Sequence, residues 1–204
     1  MNLSLAATRR EVRDQTNRLL TILEDMPATA PSRYALSEMV LIRAATVFEE
    51  ALAAIAYKIA CGATFDNGKL DIVLVTSRSL AGARATMLTE GGALASPKQW
   101  LKWTRAKFIS QSVKGVLAPS SHYVNTCQIF GTQIADLFDA RNYAAHKTNT
   151  SRTKYKKLVK KQYGHERRIQ LGYFLLTKNL SPTSNIEKYI KNVQIIVDQV
   201  VAGP

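Results

Sequence analysis

The chain has 204 residues, 46% of them hydrophobic and 21% charged, proportions that suit a folded protein with a real core. No run of about 18 apolar residues occurs, which argues against a transmembrane helix. Met1 to Asp14 lack the apolar core and cleavage-like site of a signal peptide. The net charge of +13 is unevenly placed: residues 1–68 carry 7 basic and 8 acidic side chains, residues 69–140 carry 8 and 4, and residues 141–204 carry 13 and 3. A polyanion is therefore the expected partner, nucleic acid or an acidic membrane. The basic stretch lacks a strongly apolar opposite face, which sets the membrane aside. Cys61 and Cys127 fall in apolar helical contexts and read as buried thiols in a reducing cytoplasm.

In chain order, residues 8–26 predict a helix, with Val12, Leu19, Leu20 and Leu23 on one face and Pro27 closing it. Pro27 to Pro31 is a short linker. A longer helix starts near Ser32 or Ser37 and runs to Cys61, with Gly62 as its stop. Its wide apolar stripe, from Val40 and Leu41 through Phe48 and Leu52 to Ile59, places it in the middle of the core. Asn67-Gly68 marks a turn. Ile72 to Val75 is a short strand or the start of a helix. After the Gly91-Gly92 loop, Ser96-Pro97 opens a third helix through about Val116, carrying Trp100 and Trp103 as core or dimer-interface residues. Ser120 or Ser121 caps a helix over about residues 122–140, which leads into Arg141.

After His146 the composition turns basic: Lys147 to Arg168 holds nine Lys or Arg against one acid, Glu166. Ile169 to Thr177 is the best strand candidate. Ser184 or Asn185 begins a last helix with Ile186, Ile190, Val193, Val197 and Val200 along one side. No internal repeat is visible. The fold class is thus all-α, one domain over residues 1–204 built as a bundle of five or six helices, with a basic insertion at 147–178 and a short β element near 169–177.

Arg141-Asn142-Tyr143-Ala144-Ala145-His146 stands where the apolar helix gives way to this basic stretch. A guanidinium keeps its charge and can hold two phosphate oxygens with its planar fork. An imidazole transfers protons near neutral pH. RNA brings its own nucleophile, the 2′-hydroxyl, so such a pair can break a phosphodiester without a metal. Five residues at about 100° each put Arg141 and His146 roughly 140° apart on a continuous helix. Either the helix breaks between them or the cleft collects residues from two chains, and both options suit a C2 dimer.

The motif, at the end of an amphipathic helix, resembles the R-x4–6-H signature of HEPN domain ribonucleases, in particular the RiboL-PSP-HEPN branch or a neighbouring one. Phe48-Glu49 on the long second helix and the late helix around Tyr189 are similar to other HEPN helices, so the resemblance covers roughly residues 35–200. It implies a helical bundle that dimerises with two motifs facing one cleft. It also implies metal-independent endonucleolytic cleavage of RNA, with no cofactor, by a toxin or antiphage-defence effector that has an antitoxin or defence-system partner. Arg141 would stabilise the phosphate and His146 would act as general acid and base. Asn142 would orient the phosphate or bond His146, and Glu49 would fix the arginine or the histidine tautomer.

Lys147, Arg152, Lys154, Lys156, Lys157, Lys160 and Lys161 are the candidate RNA-binding residues, with Tyr155 and Tyr163 interleaved to stack on bases. His122 and His165 have no neighbour at metal-ligand spacing and read as surface residues. Plainer roles exist for each group: Arg141 on helix-terminal carbonyls, Asn142 as a C-cap, Glu49 and the lysines as solvated faces. No P-loop, G-x-G-x-x-G, H-E-x-x-H or nucleophile elbow competes. The other function class open to the chain is a non-catalytic RNA-binding or adaptor module on the same bundle.

Overall fold

Apolar side chains recurring every three or four residues produce nine helices and no strand among the residues that the computed structural model describes, 3–27, 29–178 and 181–204. Ala28, in the expected Pro27–Pro31 linker, lies outside them. The helices are α1 (Leu5–Glu24), α2 (Ala30–Ala60), α3 (Leu80–Leu88), α4 (Ala106–Val113), α5 (His122–Ile129), α6 (Gly131–His146), α7 (Asn149–Tyr163), α8 (Leu171–Leu176) and α9 (Asn185–Ala202). Five have 15 residues or more (α1, α2, α6, α7 and α9) and form the bundle, with four short helices beside them.

The 31-residue α2 is the axis, packed against α1, α3, α6, α8 and α9. Val40, Leu41, Phe48, Leu52, Ile55 and Ile59 are buried along it, as their spacing predicts. On α9, Ser184 and Glu187 form a reciprocal capping box that meets two otherwise unpaired donors. The Ser121 hydroxyl accepts from Val124 N, and Asp71 accepts from the backbone N–H groups of His122 (2.9 Å) and Tyr123 (3.1 Å), so α5 is capped twice.

Several sequence expectations change. The long helix begins at Ala30, inside the expected Pro27–Pro31 linker, because Pro31 suits the first turn of a helix. The single helix over 122–140 is two, because Phe130 leaves helical geometry to end α5 and begin α6. The helix expected from Ser96 forms only at Ala106–Val113. Upstream, the Ser112 hydroxyl bonds both Lys102 N (2.8 Å) and Lys102 O (3.0 Å), and Trp103 is buried edge-on to Tyr57, which holds residues 102–103 in a non-helical path. Ile72–Val75 is neither strand nor helix: Val73 makes one isolated antiparallel bridge to Leu117.

Residues 169–177 are not a β element. Leu171, Gly172, Phe174 and Leu175 are the buried positions of α8, a helical spacing in a stretch rich in leucine rather than β-branched residues. Asn185 Nδ2 donates to Phe174 O at 2.8 Å and satisfies the end of α8. The basic insertion at 147–178 packs into the core: Tyr155, Leu158, Val159, Leu171, Phe174 and Leu175 belong to the same buried cluster as α2 and α9.

Gly172 marks the closest approach of α8 to α2. A β-carbon there would overlap Cβ of Tyr34 and lie 2.6 Å from its Cα and 2.8 Å from its carbonyl oxygen. Backbone cannot yield as a side-chain tip can. Gly172→Ala is expected to cost about 2 kcal/mol or more of stability by overpacking. Urea unfolding measures this, and an unchanged midpoint would show that α8 docks less tightly.

Candidate active site

Two contacts run α6 antiparallel to α2: the Phe138 ring lies 6.1 Å from that of Phe48, and Lys147 Nζ reaches Glu38 Oε2 at 3.4 Å. Arg141 lies within electrostatic range of Glu49 without forming an ion pair within 4 Å. Glu38 and Glu49 are eleven residues apart, close to three full turns, so they share the α2 face turned toward the end of α6. Ile134, Leu137, Phe138 and Ala140 are the buried residues of α6 and anchor it.

Arg141 is partly buried. Its Nη1 donates to Asn142 Oδ1 at 3.0 Å, which draws the guanidinium around the helix toward the side that carries His146. Its Nε is buried and meets no acceptor among the described residues. Asn142 thus acts on Arg141, and no bond from it to His146 is found. Burial pushes the Glu49 carboxyl above its ordinary range, the positive charge of Arg141 opposes that rise, and Glu50 adds to it. Glu49 thus feels the charge of Arg141, although the two side chains form no ion pair within 4 Å.

His146 is exposed in the last turn of α6, with no hydrogen-bond partner among the described residues. The helix continues unbroken through it: Lys147, at a left-handed φ of 46°, closes α6 by donating its N–H to Tyr143 O at 3.2 Å. Of the two geometric options, a break between Arg141 and His146 is removed. One chain therefore presents the guanidinium on the α2 side and the imidazole to solvent.

The structure divides the basic segment in two. Lys154, Lys161 and Lys160 pair with Asp139, Asp136 and Glu166, and Lys147 with Glu38. Arg152, Lys156 and Lys157 are exposed without a carboxylate within 4 Å among the described residues. Tyr155 does not offer a face to a base: it is buried, stacked on Tyr143 at 4.5 Å, and donates its hydroxyl hydrogen to Ile169 O at 3.0 Å. Tyr163 is partly buried, with Arg167 over its ring at 5.3 Å.

Outside this region, Trp103 is core and Trp100 is exposed. His122 rests edge-on against Phe65 with Nε2 2.9 Å from Gln199 O, and His165 accepts from Arg167 Nε at 2.7 Å. Among the described residues no three His, Cys, Asp or Glu side chains are grouped as metal ligands. Cys127 is buried and pushed up to about 12, whereas Cys61, expected to be buried, is partly exposed. Glu38, Tyr143, Arg167 and Arg168 were not singled out by the sequence. The eleven-residue spacing from Glu38 to Glu49 was the available signal for the first.

No family model matches the chain, and no match is found among curated proteins or solved structures.

Because the ionised form of Glu49 is the one penalised, the native state holds this proton more tightly than the unfolded chain. The penalty is full above the raised native value, fades as pH falls from there toward the unfolded value, and is gone below it. Glu49→Gln is therefore expected to be more stable than the parent at pH 7, with the difference shrinking toward pH 4. Guanidinium unfolding at both pH values tests this. Lower stability at pH 7 would mean that attraction to Arg141 outweighs burial.

Proposed function

We propose that the chain is a metal-independent endoribonuclease of the HEPN type, a cytoplasmic toxin or antiphage-defence effector that works as a homodimer. One observation carries this: a guanidinium held by Asn142 and by the field of Glu49 stands five residues from an exposed imidazole that has no internal partner. His146 would take the 2′-hydroxyl proton and return one to the leaving 5′-oxygen. Arg141 would stabilise the charge that builds on the phosphoryl oxygens, often the largest catalytic term. The products are a 2′,3′-cyclic phosphate and a 5′-hydroxyl. Since α6 is continuous, the complement to each imidazole comes from a second copy in a C2 pair, each motif facing its own image. RNA is the substrate, and an antitoxin or defence-system partner would restrain the activity.

A non-catalytic RNA-binding or adaptor module is the second reading. The buried Nε of Arg141 favours it, because a side chain that leans into the fold can serve packing alone.

Incubation with total RNA in EDTA separates the two. The first reading expects cleavage to 2′,3′-cyclic ends, with Arg141→Ala and His146→Ala each slowing it by at least about 100-fold while helical circular dichroism is retained. RNA that is bound but left whole by the parent would support the adaptor. Cutting that survives both substitutions would place the chemistry elsewhere.

A further inference from the structure

Arg152 and Lys156 on α7, with Arg167 and Arg168 on the chain that returns from it, line one open cleft of 470 Å³ whose lining contains no acid. Tyr143 and Tyr155 complete its walls. The asymmetry within the basic segment is the telling feature. Lys147, Lys154, Lys160 and Lys161 each meet a carboxylate, whereas these four cations have none within 4 Å among the described residues. Like charges so gathered repel, and an anion in the cleft relieves that repulsion.

The cleft is held in shape. The Tyr155 hydroxyl ties the returning chain to α7 through Ile169 O at 3.0 Å, and the Tyr143–Tyr155 stack joins α7 to α6. The Arg167 guanidinium makes two contacts, over the Tyr163 ring at 5.3 Å and through its Nε bond to His165 at 2.7 Å. Tyr143 also links the cleft to the motif. His146 follows it by three residues on α6, about one turn or roughly 4.5 Å of rise, on a neighbouring azimuth. His146 does not itself line the cleft, so a strand seated there meets the imidazole by extending about one helical turn along α6.

We infer that this cleft seats the single-stranded RNA adjoining the cut, with Arg152, Lys156 and Arg168 on its backbone phosphates and Arg167 fixing the wall. The position relative to the cut rests on the endoribonuclease reading, but the binding does not. Aromatic and apolar walls (Tyr143, Ile169) favour an unpaired strand, whose bases have free faces.

The test uses full-length protein carrying His146→Ala, so that RNA stays intact, and a fluorescent single-stranded RNA followed by anisotropy. Two cleft pairs are made, Arg152→Ala/Arg168→Ala and the milder Arg152→Gln/Lys156→Gln, each required to keep the parent circular dichroism. Either pair is expected to raise Kd at least about tenfold at near-physiological salt, and to lower the slope of log K against log salt by about 1.4, two single-strand phosphate contacts. Lys69→Ala/Lys107→Ala, an equal loss of charge outside the cleft, is expected to stay within about twofold. Unchanged Kd and slope in both cleft pairs overturns the inference. So does loss of binding to phosphatidylserine vesicles while RNA affinity stays the same. If the pairs weaken RNA binding but the His146-intact protein never cuts, the cleft stands and the catalytic reading falls. If that protein cuts RNA and the pairs bind normally, the reverse holds.

Discussion

Because α6 runs without a break from Gly131 to His146, its side chains are fixed at set angles around one axis, and Arg141 and His146 lie roughly 140° apart. A single chain holds the guanidinium within the electrostatic reach of Glu49 and offers the imidazole to solvent. Asn142, at an angle between them, draws the guanidinium part of the way across at 3.0 Å. The remaining separation is what a twofold-related copy of the same helix end would close.

Acids of α2 and α6 pair with part of the basic half of the chain. Glu38 and Glu49 face the end of α6, while Asp136 and Asp139 on α6 itself take Lys161, Lys154 and Arg105. Exposed pairs of this kind add little to stability, commonly less than about 1 kcal/mol each. Their effect here is to neutralise one side of α7 and leave Arg152 and Lys156 unmatched on another. Glu49 is different in kind. Its burial costs the folded state, and the charge of Arg141 offsets only part of that cost.

Much of the bundle was legible in the sequence, because long amphipathic helices declare themselves by period. The α2 stripe from Val40 to Ile59 and the α9 series from Ile186 to Val200 are buried as their spacing requires. The misread stretches are short ones in which tertiary contacts outweigh local pattern. Residues 171–176 form one and a half turns whose apolar spacing fits either element until Tyr34 and Asn185 fix it as helix. The Ser96–Arg105 stretch has helical composition, but the bonds of Ser112 and the burial of Trp103 hold part of it otherwise. At the site, Glu49 was expected to act on either the arginine or the histidine, and it lies within the field of Arg141. The partition of the lysines was not, since it depends on which side of α7 meets Asp136 and Asp139, a property of packing alone. Tyr155 misled for the same reason: alternation with lysines placed it on a basic surface, whereas its helical position turns it inward against Tyr143 and Phe174.

The proposed site needs residues from two chains. Arg141→Ala and His146→Ala proteins, each inactive alone, can be mixed, allowed to exchange subunits and assayed on RNA in chelator. If Arg141 of one protomer works with His146 of the other, each mixed dimer regains one intact site, and activity returns to about a quarter of the parent level at equal mixing. A mixture that forms mixed dimers yet stays as inactive as its components would contradict the central claim.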